Sequence, residues 1–350
     1  MRIFLHGVGA VSPAGWGVDT LLDAVMRAQP LPLKELGRPG WTEPILVRQV
    51  PVPASRPAFM LHPRLRRASP ITHYAVGAAL EALGEGAERV RQGTLRLGII
   101  FCVMTGCVNY SRRFYDEVLR DPATASPLVF PETVFNAPSS HLASLLGAKE
   151  LNYTLVGDPG TFLQGLALAG DWLANQQVDG CLVVGAEESE WLAVDAYRLT
   201  APSIILSDGA AAIYLSAEAP KCAASELVAV TDSHLFVGRA ARLKAAHETW
   251  AELMAGAPAD LLCDGLQGIA KIDDEEERTL AGWVSGRISP KRVLGEGLMA
   301  AAGWQCVVAA EALRRGLHRV ANVSVVGCNE QAIGAQLKRY AEPENVKQVS

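Results

Sequence analysis

The sequence predicts an α/β protein in which mostly parallel sheets are covered by helices. Three observations carry this. Short apolar runs such as RLGIIFCVM and DGCLVVGAEE read as buried strands. They alternate with segments of helical apolar spacing. A helix-then-strand pair closes the first half as GDWLANQQVDGCLVVGAEE and closes the second as AAEALRRGLHRVANVSVVGCNE. That repetition predicts an internal duplication of an α/β unit.

In chain order, residues 2–6 read as a short buried strand followed by the turn-rich GVGAVSPAGWG. Residues 18–28 have helical spacing, and 30–63 are Pro-rich and irregular, a long surface excursion. PITHYAVGAALEALG, residues 70–84, reads as a helix stopping at Gly84. RLGIIFCVM is a strand and SRRFYDEVLRD a short helix, with a loop from Asp121 to Pro138. SSHLASLLG is helical, LNYTLV a strand, TFLQGLALAGDWLANQ a helix, and DGCLVVGAEE and AAAIYLSAEA strands. The second half then gives strands at ELVAVTDSHLF and ADLLCDGL, an apolar helix MAAAGWQCVVAAEALRRG ending at Gly316, and a strand NVSVVGCNE. The boundary falls near 217–226, dividing 1–217 from 218–350 within one compact unit.

Composition narrows the function classes. The 350 residues are 49% apolar and 20% charged, enough for a large core. A net charge of -5 argues against nucleic acid as the main partner. Arg64, Arg66 and Arg67 form a local basic patch, either a solvated loop or a dock for an acidic carrier protein. The seven cysteines (102, 107, 181, 222, 263, 306 and 328) form no CxxC pair and mostly sit in apolar runs. They read as reduced and buried, which implies a cytoplasmic protein. MRIFLHGVG is too short for a signal peptide, and no apolar run reaches membrane-spanning length. The histidines form no HxxxH pair, so no metal is expected. Glu187, Glu188 and Glu190 read as a solvated edge, and DDEEER at 273–278 as a surface turn and helix start. GVGAVSPAG follows a strand, but Ser12 replaces the third glycine of a dinucleotide loop and no acidic ribose partner follows. No cofactor is expected.

Several segments, in order, resemble the β-ketoacyl synthase family of the thiolase superfamily. HGVGAVSPAG is similar to its first strand and turn, and LRRASPITHYAVGAALEAL to the helix after its long N-terminal loop. FNAPSSHLASLLG resembles N-M-A-A-G-H, and Thr154 to Glu187 matches the nucleophile-to-G-G-A-E spacing without a gap. LSDGAAAIYLS, KRVLGEGLMAAAG and VVGCNEQAIGAQLKRY resemble G-E-G-A-G-A-L-V-L, K-S-x-x-G-H-x-x-G-A-A-G and F-G-F-G-G-T-N-A-x-L-V-L. The resemblance implies the thiolase fold: duplicated halves, five α-β-α-β-α layers, and a dimer. Most of the length missing relative to the family lies between LSDGAAAIYLS and LLCDGL, where the family carries extra helices and loops over the substrate pocket.

The resemblance also locates what has been lost. The family holds its catalytic cysteine at a helix N-terminus, where the dipole lowers the thiol pKa and N–H groups form an oxyanion hole. That position is Pro159, preceded by Asp158, a pairing that suits helix capping. Asp264 and Glu296 stand where the family has its two histidines, the second match needing a one-residue insertion near Met299. A carboxylate there opposes an enolate. Lys291 matches the family lysine and reads as structural; Cys328 takes the gating Phe position. His141 falls near the family's dimer contact as a packed structural residue. Cys107, Tyr110 and Phe114 match tunnel positions of the family's chain length factors, with core packing the competing reading for the two aromatics. Neither Cys107 nor Cys328 is expected at a helix N-terminus, so neither reads as a relocated nucleophile.

The resemblance therefore implies a non-catalytic chain length factor. It would pair as a heterodimer with an active β-ketoacyl synthase, meet acyl carrier protein through that complex, and shape the acyl tunnel in polyketide, polyene or fatty-acid-type elongation. The alternatives are a homodimeric acyl-binding scaffold, or an acyltransferase or hydrolase with altered chemistry.

Overall fold

The computed structural model describes residues 1–328 and 330–341. Asn329, inside the VVGCNE segment, lies outside the described residues. The first part of the chain runs β1 (Ile3–Ser12), β2 (Gly15–Trp16), α1 (Val18–Arg27), β3 (Lys34–Leu36), β4 (Ile45–Val47), α2 (Pro70–Leu83), α3 (Gly86–Arg91) and β5 (Leu97–Val103). It continues through α4 (Val108–Arg120), α5 (Ala137–Leu146), β6 (Asn152–Val156), α6 (Thr161–Ala174), β7 (Gly180–Glu187), α7 (Trp191–Thr200) and β8 (Gly209–Ser216). Then follow β9 (Ala224–Val230), β10 (His234–Leu235), α8 (Arg239–Ala255), β11 (Leu261–Cys263), α9 (Ala270–Leu280), β12 (Gly286–Ile288), α10 (Pro290–Leu294), α11 (Met299–Arg314), β13 (Val320–Val326) and β14 (Gln331–Tyr340).

The main strands form one path, β12-β11-β13-β14-β9-β1-β8-β7-β5-β6. Its two arms have the same order and sense. β6, β5 and β7 are mutually parallel, then β8 and β1 run antiparallel to their neighbours; β12, β11, β13, β14 and β9 repeat this. The arms meet where β1 pairs antiparallel with β9. A boundary at 217/218 falls in the connection between β8 and β9. The expectation of mostly parallel sheets is corrected to a mixed sheet. One cause is visible at residues 327–330, where four residues join β13 to β14: too short for a parallel crossover, long enough for an antiparallel return.

Helices α6 and α11 lie between the arms, α11 packing on β7 and β8 from one side and on β13 and β14 from the other. α2 covers the outer face of the first arm and α8 that of the second, which gives five α-β-α-β-α layers. Residues 299–313 of α11 are all buried. Small residues let it sit this close: a Cβ at Gly185 would lie 2.6 Å from the Met299 carbonyl oxygen. The glycines of GVGAVS have the same use. A Cβ at Gly9 would lie 2.0 Å from the Ala78 carbonyl oxygen of α2, so this segment is strand packed on helix. That corrects the reading of residues 7–12 as turn: β1 runs on to Ser12. The irregular 30–63 excursion likewise contains a ribbon, β3 against β4.

Candidate functional site

The chain turns into α6 through Asp158 and Pro159. Thr161 N–H donates to the Asp158 carbonyl at 2.8 Å and Phe162 N–H to the Pro159 carbonyl at 3.2 Å. The helix proper begins at Thr161 after Gly160, without a side-chain cap. Asp158 therefore does not cap its own helix as expected. Its buried carboxylate reaches to the β13–β14 connection, accepting from Cys328 N–H at 3.1 Å and from Glu330 and Gln331 N–H at 3.3 Å. Those donors point into the protein and need an acceptor. Pro159 beside it is buried, with no N–H and no reactive group.

Glu296 precedes α11. It is 1% exposed and Lys291 is 2% exposed, with Lys291 Nζ 2.7 Å from Glu296 Oε2. Gln267 Nε2 donates to the same oxygen at 3.0 Å, and Leu298 N–H donates to Oε1 at 2.8 Å. Burial opposes the charged Lys291 ammonium, but Glu296 overrides that and holds its pKa above the ordinary lysine value. Asp264, fully buried, turns away from Glu296: it ion-pairs with Arg287 and accepts Leu266 N–H at 3.0 Å. Asp158-Pro159 and Glu296, two of the three positions that the resemblance matches to the family's catalytic residues, thus flank the β13–β14 connection, while Asp264 pairs with Arg287 of β12.

A cavity of about 480 Å³ opens beside this cluster. Glu296, Cys328 and Gly327 line it; Pro159, Asp264, Cys107, Tyr110 and Phe114 do not. Tyr197 of α7 also lines it, its hydroxyl donating to Met104 Sδ at 2.9 Å. Burial pushes the Cys328 thiol up, with Glu296 and Asp158 adding to the effect. That thiol is not poised as a nucleophile.

Comparison with solved structures identifies the architecture. The chain matches "The ishigamide ketosynthase/chain length factor" at a TM-score of 0.80 and 18% identity, over 97% of this chain and 99% of that one. A type II PKS acyl-carrier protein in complex with its ketosynthase bound to the hexaketide (AntDE:AntF) matches at 0.77 and 15%, over 96% and 99%. A beta-ketoacyl synthase from Burkholderia phymatum STM815 matches at 0.76 and 16%, over 97% and 99%. The chain has the thiolase fold of the ketosynthases. No protein-family model matches the sequence, and no curated protein does.

Cys107, Tyr110 and Phe114, expected at tunnel positions, form a separate group. Cys107 is the residue that caps the N-terminus of α4, which corrects the expectation that it lies away from a helix start. It is still inert: burial pushes its thiol up, and the Glu188, Glu132 and Glu187 carboxylates push further. Tyr110 and Phe114 are half-buried on α4, and the Phe114 ring lies 5.4 Å from Phe130. No α4 side chain is fully buried, although the helix is amphipathic. Tyr115, Leu119 and Phe130 are exposed nearby. The core reading of the two aromatics is therefore incomplete; they belong to a face with little covering.

Two charged segments contradict the solvated reading. Glu187, Glu188 and Glu190 are buried. Glu187 accepts Met104 N–H at 2.6 Å and Thr105 N–H at 3.0 Å; Glu188 accepts Ile71 N–H at 3.0 Å and Asn109 N–H at 2.9 Å. Glu190 pairs with Arg112 at 2.5 Å. Burial pushes Glu187 up to about 7. Within DDEEER, Asp273, Glu275 and Glu276 are buried. Asp273 accepts the N–H groups of Gln267, Gly268 and Ile269 at 2.7–2.9 Å, and Glu275 pairs with Arg239 and Arg242. Asp273, Glu275, Glu276, Gln267 and Arg242 all line the cavity, and sequence reasoning missed them as site residues. The available signal was Ile272 and Leu280 bracketing the acids on one helix, the mark of a half-buried face. Arg64, Arg66 and Arg67 are exposed. Among the described residues no His, Cys, Asp and Glu group is placed to hold a metal, and no helix is long and apolar enough to cross a membrane.

Proposed function

We propose that the chain is a non-catalytic, chain length factor-like subunit that pairs with an active β-ketoacyl synthase. The observation that carries this is Pro159, buried at the start of α6 where the sequence resemblance puts the family's thiolate, with Asp158 beside it accepting from three backbone donors among the described residues. The two carboxylates at the histidine positions support the same reading, each held in an ion pair. The halves divided at 217/218 are, on this reading, the family's duplicated units. The uncovered α4 face and the edge strand β6, with Tyr153 and Val156 exposed, suit a partner subunit. Tyr110 and Phe114 would then border the shared acyl tunnel and limit a polyketide, polyene or fatty-acid-type chain. Acyl carrier protein would meet the complex through the ketosynthase. A ketosynthase/chain length factor structure and a ketosynthase bound to its carrier protein both share this fold. We place the chain in the cytoplasm, where its free thiols stay reduced.

Native mass of the chain co-expressed with a ketosynthase encoded beside its gene tests the pairing. A one-to-one heterodimer is expected, and within it Phe114→Ala or Tyr110→Ala should shift product length. A homodimer that ignores the ketosynthase sinks the partner role and favours an acyl-binding scaffold. Acyl transfer or hydrolysis by the chain alone favours the altered-enzyme reading.

A further inference from the structure

Glu276 has a feature that pairing with a ketosynthase does not explain. It is 2% exposed and lines the 480 Å³ cavity. Its Oε1 accepts Gly265 N–H at 2.9 Å; its Oε2 accepts no hydrogen bond among the described residues. The neighbouring cations are committed elsewhere: Lys291 to Glu296, Arg287 to Asp264, and Arg239 and Arg242 to Glu275. That oxygen is not among the buried atoms left without a partner, so it is open to the cavity, where a ligand donor can reach it. Burial, and then the Asp264 carboxylate, push Glu276 above the usual carboxylate range, against the opposing pull of the Gly265 N–H, Arg242 and Lys291.

The remaining walls define the rest of the ligand. Phe236, Ile204 and Ile272 supply apolar surface. Lys271, exposed and also lining the cavity, makes no ion pair among the described residues. It lies five residues before Glu276 on α9, about 7.5 Å along the axis at roughly 1.5 Å per residue. The volume is that of an ordinary small-molecule site.

We infer that this cavity binds a short apolar chain with a hydrogen-bond donor at one end, hydroxyl or ammonium, held by Glu276, and a carboxylate at the other, held by Lys271. The site belongs to this chain alone and stands whether or not a ketosynthase partner exists.

Calorimetric titration of the full chain with 8-aminooctanoate, 8-hydroxyoctanoate, octanoate and octylamine tests it. At least one of the two donor-bearing acids is expected to bind about tenfold tighter than octanoate, the worth of one charge-assisted hydrogen bond. A gain confined to 8-aminooctanoate identifies the donor as an ammonium; a gain for 8-hydroxyoctanoate identifies a hydroxyl. Glu276→Gln keeps an acceptor for Gly265 and should erase the 8-aminooctanoate preference. Lys271→Ala, at an exposed position, should weaken all three carboxylates and leave octylamine unchanged. Equal affinities for octanoate and both donor-bearing acids, a preference that survives Glu276→Gln, or no saturable binding of any probe would overturn the assignment. Octylamine binding as tightly as 8-aminooctanoate would overturn its carboxylate end.

Discussion

Glu296→Gln should destabilise the chain strongly, and the structure sets the size. The Lys291–Glu296 pair is 2.7 Å apart, and both side chains are out of water. At that separation and an effective dielectric of about 20 the attraction is about 6 kcal/mol, much of it offset by desolvation of both ions. Glutamine is isosteric, but its one oxygen must serve three donors: Lys291, Gln267 and Leu298. The ammonium then stays buried without a counter-charge, a loss of about 3–5 kcal/mol. Replacing both partners with Lys291→Met and Glu296→Leu removes the orphan and should cost clearly less than Glu296→Gln alone. Because Lys291 has a raised pKa in the fold, the pair's contribution is complete below the ordinary lysine value of 10.5 and is lost only as pH rises through the higher folded value. In Glu296→Gln that support is gone and burial lowers the Lys291 pKa, so the deficit should be no larger at pH 8 than at pH 6. Urea unfolding of wild type, both singles and the double at those two pH values measures it. A Glu296→Gln loss below about 1 kcal/mol, the level of an exposed pair, refutes the reasoning.

Three further outcomes are expected. Pro159→Cys alone should give no condensation with acyl and malonyl carrier protein, because Asp264 and Glu296 still occupy the histidine positions; product seen by mass spectrometry would show the site alignment to be wrong. Asp208 and Glu187 are each pushed up to about 7 by burial, so the folded state holds their protons more tightly than the unfolded chain. Their contribution to stability falls as pH rises from the ordinary carboxylate range to about 7, and Asp208→Asn or Glu187→Gln should flatten that part of the unfolding-midpoint profile. Iodoacetamide should label exposed Cys222 first, the partly covered Cys328 slowly, and the buried Cys102, Cys107, Cys181, Cys263 and Cys306 only on unfolding, as read by peptide mapping.

What the sequence made legible was local. The limits of α1, α2, β5 and β7 follow from apolar period, Gly84 stops α2, and the gapless run from Thr154 to Glu187 fixes Pro159 ahead of α6. What it hid was distant partnership. Glu188 reads as solvated until Ser69 and Asn109, 119 and 79 residues away, bring it donors. Glu275 reads as part of a charge run until α8 delivers Arg239 and Arg242. α7 and α8 carry no helical reading in the sequence. α8 has only four buried residues in 17, so burial imposes little period on it.

The deeper contrast lies in how the helix starts are used. An oxyanion hole needs N–H groups that are free in the resting state and aimed where charge will develop. At the meeting of α6, α11 and the β13–β14 connection, such donors are already occupied. Asp158 takes the N–H of Cys328, Glu330 and Gln331, and Glu296 takes the N–H of Leu298 at the start of α11. Carboxylates at helix N-termini are favourable for stability. If the site alignment with the ketosynthases holds, they also fill the electropositive space that an acyl oxyanion would use. Losing the nucleophile alone would have left a silent but intact cradle. On the proposed non-catalytic reading the cradle itself has been given internal acceptors, and restoring a single thiol would not reverse that.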